Sequence, residues 1–260
     1  MILVENIKVD GIPALHIVDE RLKTNQLPFV IFIHGFTSAK EHNLHYAYLM
    51  AEKGMRVVLP ESKHHGERQT NIKGSELPFH FWDIVLSAID ELEMIKQYFE
   101  EKELIDEDRI GVAGTSMGGI ITLGALTQYE WIRSGVCLMG LPYYEKFARY
   151  QMDEMKNQGV KLPLSQEEIT QLLNRLEKYD LSLQPEKLKK RPLLFWHGKK
   201  DQVVPYKYSY PFYEQLKGRG ELVQFLTDEK AGHQVSREGL LKTVDWFETH
   251  LVFEKIAPKR

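Results

Sequence analysis

Short apolar runs recur along the chain, each followed by a stretch with helical periodicity, and this alternation narrows the fold more than any other feature. Phe29–Ile33 has no polar residue, so as a strand it must be covered on both faces. Met55–Leu59, Ile110–Ala113, Val136–Met139, Leu193–Trp196 and Leu222–Leu226 read as further strands. Between them the spacing predicts helices over His42–Lys53, stopping at Gly54, over Met117–Leu126 and near Tyr208–Leu216. The clearest helix is Phe79–Phe99, where Phe81, Ile84, Val85, Ala88, Ile89, Leu92, Ile95 and Phe99 form one apolar stripe. Leu240, Val244, Phe247 and Leu251 place a closing helix on the sheet, with Ser236 as its N-cap. Strands alternating with helices predict an α/β fold: a mainly parallel central sheet with helices on both faces. Ile2–Val9 and Ala14–Val18, split by the turn signal Asp10-Gly11, predict an antiparallel hairpin at its edge.

Composition excludes several function classes. The chain has 260 residues, 43% of them hydrophobic and 27% charged, which fits one large globular domain spanning residues 1–260. Lys and Arg total 34 against 37 Asp and Glu, a net charge of −3. That balance gives neither a basic footprint for nucleic acid nor a polybasic membrane surface. The one cysteine, Cys137, forms no internal disulfide, and the first residues lack a basic leader, so a cytoplasmic location is expected. No apolar run approaches the roughly 20 residues that cross a bilayer.

One segment breaks the alternation. About 50 residues without strand pattern separate Leu141 from Leu193. Tyr143–Asn157 is a helix candidate, and Ser165-Gln-Glu-Glu168 is a capping box that starts another, with Ile169, Leu172, Leu173 and Leu176 on one face. An insertion of this length predicts a helical cap at about 143–190. Phe147, Tyr150, Met152 and Met155 are its candidate substrate-binding residues. The run Lys187, Lys189, Lys190 and Arg191 at its end reads as a solvated basic face.

Gly114-Thr-Ser-Met-Gly118 lies between a predicted strand and a predicted helix, the setting of a nucleophile elbow. A sharp turn there projects the Ser116 hydroxyl, and the following helix aims its N-terminus at developing negative charge. Serine needs a base. Of the 10 histidines, His233 follows the last strand and precedes the last helix, whereas His250 sits within that helix and His197 precedes the candidate acid. Asp201, in the loop after Leu193–Trp196, is the candidate acid; Asp228 and Glu229 read as solvated loop charges. The backbone amides of Met117 and Phe36 are the candidate oxyanion donors. His34, before Gly35, reads as a buried structural histidine. His42, His45, His64 and His65 find no third partner at metal-ligand spacing, so neither a metal nor any other cofactor is expected. No phosphate-binding glycine motif follows a strand.

Taken in order, His34-Gly-Phe, Asp108-Arg-Ile-Gly, Gly114-Thr-Ser-Met-Gly-Gly119, His197-Gly-x-x-Asp201 and Gly232-His233 resemble the α/β-hydrolase superfamily. The branch is the one containing dienelactone hydrolase and the prolyl oligopeptidase catalytic domain, and within it the chain is most similar to small bacterial esterases. Ser116 stands where dienelactone hydrolases carry cysteine, and no propeller domain fits in this length. The resemblance implies a serine carboxylesterase acting on a small-molecule ester of short or medium acyl chain through an acyl-enzyme. A small-peptide or aminoacyl hydrolase, or a thioesterase, would use the same residues. A catalytically silent binding module is the alternative from another class.

Overall fold

The hairpin, the parallel strands and the helices that cover them are all present in the computed structural model, which describes residues 1–253. Residues 254–260 of the expected single domain lie outside the described residues. β1 (Ile2–Val9) and β2 (Ile12–Asp19) pair antiparallel through a turn in which Asp10 and Gly11 both have positive φ, as the right-handed strand twist favours. β2 also pairs antiparallel with β4 (Arg56–Pro60). The remaining neighbours, β3 (Leu27–Ile33), β5 (Ile105–Thr115), β6 (Ser134–Leu138), β7 (Leu193–Gly198) and β8 (Val223–Asp228), are parallel. The sheet order is β1-β2-β4-β3-β5-β6-β7-β8, the arrangement of an α/β-hydrolase fold.

The period of a strand explains why β3 is apolar throughout. Phe29, Ile31 and Ile33 point to one face and join the core under α2 (Phe81–Glu100) and α3 (Met117–Gln128). Val30 and Phe32 point to the other, under α1 (Leu44–Glu52) and a later helix, Arg237–Phe247. α3 is buried from Met117 to Thr127 and so lacks a polar stripe.

Two helices interrupt the alternation between β6 and β7. α4 spans Tyr144–Asn157 and α5 spans Gln166–Glu177. The expected capping box opens α5: Glu168 N donates to Ser165 Oγ (3.2 Å) and Ser165 N donates to Glu168 Oε2 (2.7 Å). Ile169, Leu173 and Leu176 bury against the core. α4 is anchored at its start, where the fully buried Tyr144 donates its hydroxyl to Ile120 O of α3 (2.6 Å) and its amide to Asp180 Oδ2 (2.8 Å). After β7, α6 (Tyr210–Gly218) covers the far edge, and α7 (Arg237–Phe247) begins at Ser236, whose Oγ accepts Gly239 N–H.

The basic run at 187–191 departs from expectation. Lys187, Lys189 and Lys190 are exposed, but Arg191 is buried. Its guanidinium donates to the carbonyls of Leu126, Tyr129, Ile132, Lys187 and Leu188. The end of α3 leaves carbonyls without intrahelical donors, and five guanidinium N–H groups suit that need. Among the described residues no helix is long and apolar enough to cross a membrane.

Candidate active site

Ser116 occupies the turn between β5 and α3 with φ 53° and ψ −113°. Such backbone costs a non-glycine residue about 1–3 kcal/mol and persists only where the surroundings hold it. Here Ser116 N donates to Leu138 O (2.8 Å) and Ser116 O accepts from Ile120 N (3.0 Å). The flanking glycines permit the close crossing. A Cβ on Gly118 would lie 2.1 Å from Ile33 O, and one on Gly114 would lie 2.3 Å from the Gly118 carbonyl carbon.

His233 comes from the loop between β8 and α7. Its Nε2 lies 2.8 Å from Ser116 Oγ, and its Nδ1 lies 2.7 Å from Asp201 Oδ2. Asp201 is buried just beyond β7, where its Oδ1 accepts the amides of Val203 and Val204 (2.9 Å each). His197, on β7, donates through Nε2 to Val204 O (2.7 Å) and lies 3.3 Å from Asp201 Oδ2, so it braces this loop. Burial pushes the Asp201 carboxyl up, but hydrogen bonds from His197, His233 and the Val204 amide outweigh it and hold it well below the carboxylate range. An ionised Asp201 accepts Nδ1–H and leaves Nε2 bare toward the serine hydroxyl. The rival acids are engaged elsewhere. Asp228 Oδ1 accepts the Lys230 and Ala231 amides, and Glu229 pairs with Lys199.

The loop after β3 passes over the elbow. A Cβ on Gly35 would already be 3.5 Å from Ser116 Cβ. The next amide, Phe36, donates to no partner among the described residues. The Met117 amide is the first of α3, and amides of a helix's first turn lack intrahelical acceptors. His34 is fully buried beneath this loop, bonded to the backbone at Gly35 and Ser62.

A cavity of about 400 Å³ opens onto Ser116. Phe36, Phe79, Phe81, Ile120 and Val203 wall it together with Phe147, Tyr150 and Met155 of α4. Met152 does not line it. One residue past Gln151, it is turned about 100° around the helix and faces a separate void of about 30 Å³ with Trp82, Leu162 and Leu172. Phe79, Phe81, Ile120 and Val203 were not among the candidate site residues. The start of α2 carried a signal: the dense Phe79-His-Phe-Trp82 stretch enters a helix that follows a strand, and such helix starts lie at the ligand-binding edge of the sheet. Among the described residues no group of three or more His, Cys, Asp or Glu side chains is disposed around a common metal position.

Comparisons with known proteins bear on the family and the fold. The prolyl oligopeptidase family pattern matches residues 87–254. The chain is 56% identical over 255 residues to a Bacillus subtilis protein named "Putative esterase YitV", covering 96% of this chain and 100% of that one. It is 30% identical over 253 residues to Escherichia coli "Esterase YjfP", again covering 96% and 100%. Its fold is similar to the crystal structure of TT1662 from Thermus thermophilus, with a TM-score of 0.75 at 19% identity, covering 97% of this chain and 99% of that one.

Proposed function

The chain belongs to the prolyl oligopeptidase family and is a serine hydrolase; from that premise we propose that it is a carboxylesterase cleaving small-molecule esters of short or medium acyl chain. The observation that carries this reading is the unbroken hydrogen-bonded chain Ser116 Oγ, His233, Asp201, opening into an apolar cavity. Relatives named as esterases support an ester over an amide.

In the proposed mechanism Ser116 Oγ attacks the acyl carbon while His233 Nε2 takes its proton. Negative charge on the former carbonyl oxygen is met by the Phe36 and Met117 amides. His233 returns the proton to the departing alcohol as the C–O bond breaks. Water, deprotonated by the same nitrogen, then releases the acid. Asp201 holds Nδ1–H and stabilises the imidazolium. Residues 143–190 act as a cap whose helix α4 walls the acyl side, since Phe147, Tyr150 and Met155 border the cavity. A cytoplasmic location is part of the proposal, on the strength of the single buried thiol of Cys137.

The test is a fluorophosphonate probe, which traps activated serines, combined with a panel of acyl esters, thioesters and aminoacyl amides. The expected outcome is an adduct on Ser116 and preferred turnover of esters. An adduct on a different serine would sink the assignment. Faster cleavage of aminoacyl amides would move the chain to the peptidase reading that the family name also supports.

A further inference from the structure

Two histidines that the mechanism does not use connect the loop after β3 to the loop after β4, each accepting a backbone amide from the other's loop. Ser62 N–H donates to His34 Nε2 (3.0 Å), and Thr37 N–H donates to His65 Nε2 (3.0 Å). Their other nitrogens point at carbonyls, His34 Nδ1 at Gly35 O and His65 Nδ1 at Lys63 O, both at 2.8 Å. A carbonyl only accepts and an amide only donates, so these partners fix the His65 ring in the neutral Nδ1–H tautomer. Both rings are buried, with centroids 5.1 Å apart. The residue held by His65 is strained: Thr37 is β-branched yet has φ 61°. Its neighbour is Phe36, whose ring packs edge-on against His65.

We propose that His65 is a positioning residue for the oxyanion site: by accepting the Thr37 amide it keeps that strained residue in place and aims the adjacent Phe36 amide over Ser116. The inference rests on the reading of Phe36 as an oxyanion donor. Protonation converts the His65 acceptor into a donor facing another donor, so the clasp opens in acid. The charged and titratable groups around it are His34 across the clasp, Lys63 and His64 beside it, and Glu61, which pairs with Lys40 at 3.0 Å. Glu61 Oε1 lies 3.3 Å from His34 Nε2, within ion-pairing reach. His65 has no such ion pair among the described residues, which makes it the weaker arm. Burial of the ring depresses its basicity, so it takes up a proton only in more acid solution.

The experiment compares His65→Leu, His65→Gln and Ser116→Ala on an acetyl ester across acidic to neutral pH, with thermal melting as the check on folding. His65→Leu keeps the volume without an acceptor. It should lower kcat about 10- to 100-fold, short of the loss of a whole oxyanion donor, with KM within about threefold. A boronic acid, whose adduct oxygen occupies the oxyanion position, should bind more weakly by a similar factor. His65→Gln supplies an acceptor that does not titrate, and should restore most of that loss. The acid limb of kcat should steepen from one proton to two in the native protein and stay at one in His65→Gln. A folded His65→Leu protein with kcat within twofold of the native value would overturn the proposal, as would a one-proton limb in the native protein. Should His65→Leu fail to fold, the native and His65→Gln limbs decide. If Ser116→Ala keeps its activity, the reading of the site fails and the clasp with it; if Ser116→Ala is inactive and His65→Leu is unaffected, the clasp alone fails.

Discussion

Asp201, in the loop just after β7, and Asp228, the last residue of the adjacent parallel β8, reach the same edge of the sheet, yet hydrogen bonding separates their tasks. Asp201 keeps one oxygen on two loop amides and turns the other to His233, whereas Asp228 turns its Oδ1 to the amides of Lys230 and Ala231 and shapes that turn. Asp201→Asn should leave the fold intact and lower kcat by up to about 10⁴-fold, because an amide donor there favours the wrong tautomer of His233. Asp228→Asn should cost far less. Steady-state kinetics on both variants decide the matter: a crippled Asp228→Asn beside a mildly affected Asp201→Asn would reverse the assignment. The candidate triad was legible from the elbow motif and from position, since each member lies in the turn or loop after a strand and strand ends are visible as breaks in apolar pattern. The brace from His197, by contrast, depends on how the loop returns to Val204, and the residue types alone do not show that.

At the scale of elements, the two inserted helices do different work. α5 buries Ile169, Leu173 and Leu176 against the core, as its stripe predicted. α4 lays Phe147, Tyr150 and Met155 along the cavity and turns Met152 away. Leu176→Ala should destabilise the protein by about 2–5 kcal/mol and leave acyl preference unchanged. Met155→Ala should cost less stability and alter the ratio of kcat/KM for butyryl over acetyl esters. One buried methylene contributes about 0.8 kcal/mol, roughly fourfold in that ratio. A ratio that moves with Leu176 and not with Met155 would exchange the two roles. Periodicity located both helices closely, but a thioether and an aromatic ring suit a core as well as a pocket, so sequence alone left the facing of α4 open.

For the molecule as a whole, stability in mild acid should depend on a buried cluster far from Ser116. Arg56, fully buried on β4, donates to His16 Nε2 (2.6 Å) and to the carbonyls of Lys23, Asn25 and Leu104. Burial first, then the Arg56 cation, pushes His16 down from 6.5 to about 4, against the opposing pull of Glu5. The unfolded chain therefore binds a proton at a pH where the folded one does not. The stabilisation is complete above pH 6.5 and is lost as pH falls toward about 4, about 3 kcal/mol in all. His16→Gln keeps an acceptor for Arg56 and does not titrate. Melting temperatures measured from pH 7 to 4 should fall less steeply for that variant than for the native protein; parallel curves would place the acid sensitivity elsewhere.

Local chemistry was enough to set the strand–helix alternation, the hairpin at Asp10-Gly11, the caps at Ser165 and Ser236, and the elbow at Ser116. Each is decided by the chain within a few residues of itself, through side-chain period, positive-φ tolerance or a reachable amide. Tertiary structure decided the rest. Arg191 belongs to a run that looks solvated, and only the return of the chain to the end of α3 brings the carbonyls that bury it. The cavity joins residues from the loops after β3 and β7, the start of α2, and α3 and α4, and no local pattern relates them. His65 meets Thr37, 28 positions earlier, because β3 and β4 run parallel and end side by side. Pairing between distant segments depends on the register of the sheet, which is a property of the folded chain.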